Sequence, residues 1–207
     1  MSEHQGAVAP GYRVVVIGAS AGGLHALRTI VAGLPADFEL PVVVVQHRAK
    51  ESELLCELLQ ECSGLPVAEV NDKQEIGPGV WVGPPDYHLL FEGDGFFSLS
   101  TDDPVRYSRP SIDVMFESAA DVYGMDVIGV VLTGANADGA RGLRRIADQG
   151  GHAVVQDPET AEVRVMPRSA VKAVPDACVL PLEEIAGHLA SIHGRRVPRC
   201  RAGTVAA

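Results

Sequence analysis

The sequence predicts an α/β protein, a doubly wound and mainly parallel sheet with helices on both faces and an antiparallel β-hairpin at one edge. Three observations carry that prediction. Short Val/Ile-rich runs at 13–17, 41–46, 127–133 and 152–156 have continuous apolar centres, as strands buried on both faces require. Segments of helical length and periodicity separate them, giving β-α-β-α order. A Gly/Pro-punctuated middle region interrupts this alternation with runs short enough for a hairpin.

The first run, Val14-Val15-Val16-Ile17, leads into Gly18-Ala19-Ser20-Ala21-Gly22-Gly23, a corner from strand to helix. Leu24, Leu27, Ile30, Val31 and Leu34 then recur at helical spacing, and Gly33 with Pro35 supplies the stop. The second run ends in His47; a stripe of Leu54, Leu55, Leu58 and Leu59 follows and breaks at Ser63-Gly64-Leu65-Pro66. Gly77-Pro78-Gly79, Gly83-Pro84-Pro85 and Glu92-Gly93-Asp94-Gly95 bound the runs 80–82, 88–91 and 96–99, read together as the inserted hairpin. Val114, Met115, Ala119 and Val122 mark a helix over 112–123, for which Pro110 and Ser111 suit the first turn. Another helix follows Asp138 and runs through Leu143 and Ile146 to Gly150-Gly151. The last spans 182–193, with Glu183 and Glu184 placed where the helix dipole favours negative charge. Residues 1–11 read as a flexible tail, 12–194 as one domain and 195–207 as a disordered basic tail.

Composition narrows the function. With 17 Lys and Arg against 27 Asp and Glu, the chain has a formal charge of -10, which opposes broad binding to phosphate backbones. Nucleic acid is therefore not an expected partner. No apolar stretch approaches the roughly 20 residues of a membrane span, and the polar start lacks a signal-peptide pattern, so membrane insertion is not expected and a cytoplasmic location is. Cys56, Cys62, Cys178 and Cys200 form no C-x-x-C pair and have no histidine at zinc-ligand spacing. The expectation is reduced cysteines, no metal and no cofactor.

In a parallel sheet the ligand site lies beyond the carboxyl ends of the strands. Ser20, His47 and Asp138 each follow an apolar run and therefore converge there. A hydroxyl, an imidazole and a carboxylate meet the needs of nucleophilic catalysis: the imidazole takes the serine proton, and the carboxylate fixes its tautomer. Each also has a plainer reading. Ser20 and Asp138 suit helix N-caps, and His47 suits an ordinary loop histidine. The glycine-rich corner equally suits a phosphate cradle, but it lacks G-x-G-x-x-G order and a following G-K-[ST]. A nucleotide-binding domain thus stays as an alternative. The order Ser, His, Asp differs from that of α/β-hydrolases despite the G-x-S-x-G match at 18–22.

Five ordered blocks, Gly18-Ala-Ser-Ala-Gly-Gly23, Val43-Val-Val-Gln-His47, Arg109-Pro-Ser-Ile-Asp113, Leu132-Thr-Gly-Ala-Asn-Ala-Asp-Gly139 and Met166-Pro167, resemble the catalytic domain of the chemotaxis receptor methylesterases, the CheB family. The resemblance runs from about Tyr12 to Leu189. It implies hydrolysis of glutamyl methyl esters on the cytoplasmic helices of methyl-accepting chemoreceptors or similar signalling proteins, with deamidation of particular glutamines. It places the family triad on Ser20, His47 and Asp138, and an oxyanion donor in the backbone of the loop at Ala135 and Asn136. With Ser20 as nucleophile, backbone N–H groups near Ala135 and Ala21 are the expected oxyanion donors. Arg109 and Met166 become candidates for lining the substrate groove. Family members usually carry Met then Gly where this chain has Ala135 and Asn136. A domain that kept the fold and the receptor contact but lost turnover is therefore a further alternative. The family's usual form also carries an amino-terminal phospho-receiver domain, whereas only about a dozen residues precede the first strand here.

Overall fold

In the computed structural model of the chain, residues 11–47, 54–194 and 197 are described. Apart from Gly11 and Val197, the tails expected at 1–11 and 195–207 lie outside the described residues.

The elements run β1 (Val14–Ala19), α1 (Gly23–Gly33), β2 (Pro41–Gln46), α2 (Leu55–Gln60), β3 (Val67–Glu69), β4 (Gly79–Val82), β5 (His88–Phe91), β6 (Phe97–Ser100), α3 (Ile112–Tyr123), β7 (Val127–Val131), α4 (Ala140–Asp148), β8 (His152–Gln156), α5 (Val165–Ala173), β9 (Cys178–Leu180) and α6 (Leu182–Ile192). Seven strands form one sheet in the order β3-β4-β2-β1-β7-β8-β9. Every pairing in it is parallel.

Alternation of side chains along each strand divides the interior into two layers. Val15 and Ile17 of β1, with Val42 and Val44 of β2, pack beside Leu27, Ile30, Leu59 and Leu189 of α1, α2 and α6. Val14 and Val16, with Val43 and Val45, pack beside Phe116, Leu143 and Ala170 of α3, α4 and α5. Strands with apolar side chains on both faces are therefore needed, which is why the runs seen in the sequence have continuous apolar centres. Among the described residues no helix is long and apolar enough to cross a membrane.

Two features differ from expectation. The run 80–82 belongs to the main sheet, because β4 pairs parallel with β2 and β3 and buries Val80 and Val82. Only β5 and β6 form the antiparallel hairpin, a separate two-stranded sheet joined to α3 by hydrogen bonds between Phe91 and Ser118. Loop punctuation on both sides of 80–82 hid the strand, since three residues carry no usable period. The strands β3 and β9 are equally short, and α5 was not anticipated, although Met166, Ala170 and Val174 are buried at helical spacing.

Candidate active site

The strand order turns at β1, which lies between β2 and β7. In an open α/β sheet this is the point where adjoining loops part and a crevice opens. Ser20 leaves β1, His47 leaves β2 and the loop to Asp138 leaves β7, all at the carboxyl rim. The ladder continues one step past the strands: His47 N–H donates to Ala19 O at 3.1 Å, and Ser20 N–H donates to Thr133 O at 3.0 Å. Ala19 pairs with Gln46, so Ser20 and His47 are the next residues in register on strands about 4.8 Å apart.

The corner that carries Ser20 depends on its glycines. A Cβ on Gly18 would lie 2.2 Å from Ile112 Cγ2, so only glycine lets β1 pass under the start of α3. Gly22, with φ of 76°, is the N-cap of α1 in a left-handed conformation that side chains resist. Ser20 therefore does not cap α1, and its hydroxyl is left to the crevice. Among the described residues Ser20 Oγ has no hydrogen-bond partner. Thr133 Oγ1 donates to Ala21 O at 2.8 Å, fastening the corner to the loop after β7. A Cβ on Gly134 would stand 2.9 Å from Ser20 Cβ, so that loop passes close beside the serine. A Cβ on Gly22 would meet the Glu162 carboxylate at 2.7 Å. An acidic group on the glycine corner repels phosphate, which disfavours the nucleotide reading.

Asp138 is fully buried and accepts five hydrogen bonds. Its Oδ1 takes them from Ser111 Oγ at 2.9 Å, Asp113 N–H at 3.0 Å and Gly139 N–H at 3.1 Å. Its Oδ2 takes them from Ile112 N–H at 2.7 Å and His47 Nε2 at 2.8 Å. Burial on its own would raise this carboxyl's pKa, but the His47 hydrogen bond and the backbone donors of Asp113 and Ile112 outweigh it and hold the pKa below the usual value. The group is an anion at neutral pH. With Nε2–H given to Asp138, His47 keeps its lone pair on Nδ1, the reverse of the nitrogen usage in the chymotrypsin triad.

The carboxylate's position is fixed by a reciprocal arrangement of two helix starts. Asp138, just before α4, receives the first N–H groups of α3; Asp113, in the first turn of α3, receives Gly139 N–H at 2.9 Å and Gly142 N–H at 2.8 Å from the start of α4. Asp138 thus caps the neighbouring helix and not its own, whose N-cap is Gly139. Asp113 Oδ2 has no hydrogen-bond partner among the described residues, and the Arg106 and Arg141 guanidiniums stand 3.7 and 3.8 Å away. Burial raises the Asp113 pKa, the Gly142 N–H opposes this, and the nearby Asp138 charge adds to it. Behind Ser111 lies His88, 2 % exposed, whose Nδ1 accepts Ser111 N–H at 3.2 Å and whose Nε2 faces Asp103 O at 3.2 Å.

The other candidates have distinct surroundings. Ala21 and Ala135 are exposed, and among the described residues neither N–H makes a hydrogen bond, so both are free to point at a ligand. Gly134 N–H, next to Ala135 in the same loop, is already given to Val163 O at 3.0 Å. Met166 is fully buried and lies against Gly134, so it forms the floor beneath the loop. Arg109 is held by Asp86 Oδ1 at 2.8 Å and by the carbonyls of Thr101 and Asp102 at 2.8 and 3.2 Å, a brace across the loops that flank the hairpin.

Asn136 has a role that its sequence position did not suggest. Its Oδ1 accepts Asp138 N–H at 3.0 Å, and its Nδ2 lies 3.4 Å from His47 Nδ1. The φ of Asn136 is not positive, and Gly139 at 91° takes the left-handed conformation in this loop. The side chain closes the loop by an Asx turn. Ser111, His88 and Asp113 were also missed as site residues, because their partners are 23 or more residues away in sequence.

A doubly wound sheet with a serine, a histidine and a buried anionic aspartate around its switch point has the make-up of a serine-dependent hydrolase. Residues 15–189 match the CheB methylesterase family, and the chain belongs to it. A relative from Leptospira interrogans is 50% identical over 177 residues, covering 84% of this chain and 92% of its own length. The protein-glutamate methylesterase/protein-glutamine glutaminase of Nitrosospira multiformis is 38% identical over 191 residues, which are 91% of this chain and 54% of that protein. The crystal structure of the Thermotoga maritima CheB methylesterase catalytic domain superposes with a TM-score of 0.84 at 36% identity, covering 87% of this chain and 98% of that one. The chain thus spans most of the Leptospira relative and about half of the Nitrosospira one.

Proposed function

We propose that this chain hydrolyses glutamyl methyl esters on the cytoplasmic helices of chemoreceptors or similar signalling proteins, and deamidates glutamines at such positions, with Ser20, His47 and Asp138 as the catalytic residues. The names of its relatives support the reaction. The observation that carries the residue roles is the 2.8 Å bond from His47 Nε2 to a buried, five-fold hydrogen-bonded carboxylate, one strand away from Ser20.

In this reading Ser20 Oγ attacks the ester carbonyl as His47 Nδ1 takes its proton, and the resulting oxyanion is held by Ala21 and Ala135 N–H. The protonated imidazole, stabilised by Asp138, returns the proton to the departing methoxide, which leaves as methanol. Water then enters, gives a proton to Nδ1 and attacks the acyl-serine, releasing the glutamate carboxylate and the restored serine. With a glutamine substrate the same steps expel ammonia. The side chains named perform every proton transfer, and the route runs without a cofactor.

A second reading, a catalytically silent receptor-binding domain, is favoured by one observation: Asn136 Nδ2 occupies the side of His47 Nδ1 that a serine proton would need. Methanol release from radiomethylated receptor membranes decides between them. The esterase reading expects volatile methanol from the wild-type protein and a fall of at least about 10⁴-fold in Ser20→Ala. Receptor binding without methanol release supports the silent domain.

A further inference from the structure

At the rim of the sheet opposite Ser20, three side chains with metal-ligand chemistry meet from three elements. His152 opens β8, Cys178 opens β9 and His188 lies in the middle of α6. One ligand atom from each lies within 4.8 Å of the other two. His152 is 3 % exposed and Cys178 is 8 % exposed, while His188 is half-buried and gives the cluster a side open to solvent. The two imidazoles face each other through Nε2 at 2.9 Å. The Cys178 thiol is in no disulfide.

We propose that His152, Cys178 and His188 form a binding site for a zinc-type divalent cation that joins β8, the edge strand β9 and α6. Two imidazoles and a thiolate are borderline-soft donors, which favour zinc or copper over magnesium and calcium. Three protein ligands leave one tetrahedral position for water, reached on the His188 side. The fit requires small movements. Bonds of about 2.0–2.1 Å from zinc to nitrogen and about 2.3 Å to sulfur place tetrahedral ligands about 3.3 Å (N to N) and about 3.6 Å (N to S) apart. The imidazoles therefore part by about 0.4 Å.

The proton balance is defined. Between the facing imidazoles one Nε2 carries a proton and the other accepts it. On metal binding that proton moves to Nδ1 of the same ring through solvent, so both Nε2 lone pairs reach the ion. The Cys178 thiol loses its proton to solvent as the sulfur–metal bond forms, and one proton is released per ion. No redox step is involved. Spacing along the chain conceals the site, since the three residues are separated by 26 positions and then 10. The sheet register brings the first two together, for Val154 pairs with Cys178, two residues beyond His152.

The test uses the full chain, stripped with a chelator and titrated first with Co²⁺ and then with Zn²⁺. The expected result is one equivalent of Co²⁺ with a thiolate-to-cobalt charge-transfer band, displaced by Zn²⁺ and not by Mg²⁺. Zn²⁺ at about 100 times its Kd raises Tm by about 5–10 °C. Cys178→Ser loses the band, and His188→Gln, at a half-buried position, loses the Zn²⁺-dependent rise in Tm; circular dichroism verifies that each variant is folded. Absence of saturable binding overturns the proposal, as does a band that persists in Cys178→Ser, since Cys56, Cys62 or Cys200 then supplies the thiolate. Metal binding is read without methanol release, so the outcome is independent of the esterase reading.

Discussion

Asn136 Nδ2 donates toward His47 Nδ1, the nitrogen that takes the serine proton in the proposed mechanism. In that mechanism the serine hydroxyl competes with the amide for the same lone pair. Removing the amide frees that lone pair, but it also removes the Oδ1 bond that closes the loop on Asp138 N–H. The second bond is local, and the Asp138 carboxylate is held separately by its own five donors, so the first effect prevails. Asn136→Gly is expected to raise the kcat for methanol release several-fold, with KM little changed; an unchanged or lower kcat shows that the loop bond matters more. The pairing was not legible in the sequence, where Asn136 stands only as a departure from the family's usual residue. Ser20, His47 and Asp138 were legible, because each follows an apolar run directly or by one short loop. Asp113 and His88 were not, since a buried polar side chain declares itself only through partners brought from distant segments.

At the scale of elements, the site rests on how closely β1 approaches the start of α3. Gly18 sets that distance, and Ile112, which fills the space, also donates its N–H to Asp138 at 2.7 Å. Gly18→Ala puts a methyl group where Ile112 Cγ2 stands, so the helix start must shift away from the carboxylate. The expected cost is about 1–3 kcal/mol of stability, measured by urea unfolding, with a fall in kcat larger than this loss accounts for. A variant of normal stability and activity contradicts the coupling. The G-x-S-x-G spacing thus has two separate causes, close approach at Gly18 and positive φ at Gly22. The long strands and α1, α3, α4 and α6 were legible from period and stops. The strands β3, β4 and β9 were not, because three or four residues between loop signals give no period, and only pairing with neighbouring strands defines them.

Across the whole molecule, the two rims of the sheet carry different chemistry, an ionised carboxylate at the carboxyl rim and neutral imidazoles at the other. Burial, with the charge of His188 adding to it, lowers the pKa of His152 to about 4, and burial lowers that of His188 as well. An unfolded histidine titrates near 6.5. Below that pH the unfolded chain binds a proton that folded His152 refuses until about pH 4, so stability falls as pH falls across this window. In metal-stripped protein the expected loss is on the order of 3 kcal/mol between pH 6.5 and 4, measured by urea unfolding and much reduced in His152→Leu. A flat profile contradicts the burial argument. For the carboxyl rim, the central claim is that Ser20 is a nucleophile activated by His47 on Asp138. A fluorophosphonate probe, with the modified residue located by mass spectrometry, tests it most directly. A single adduct on Ser20 is expected in the wild-type chain, formed orders of magnitude more slowly in His47→Ala and Asp138→Asn; labelling elsewhere, or labelling of Ser20 at the same rate without His47, rules the nucleophile out.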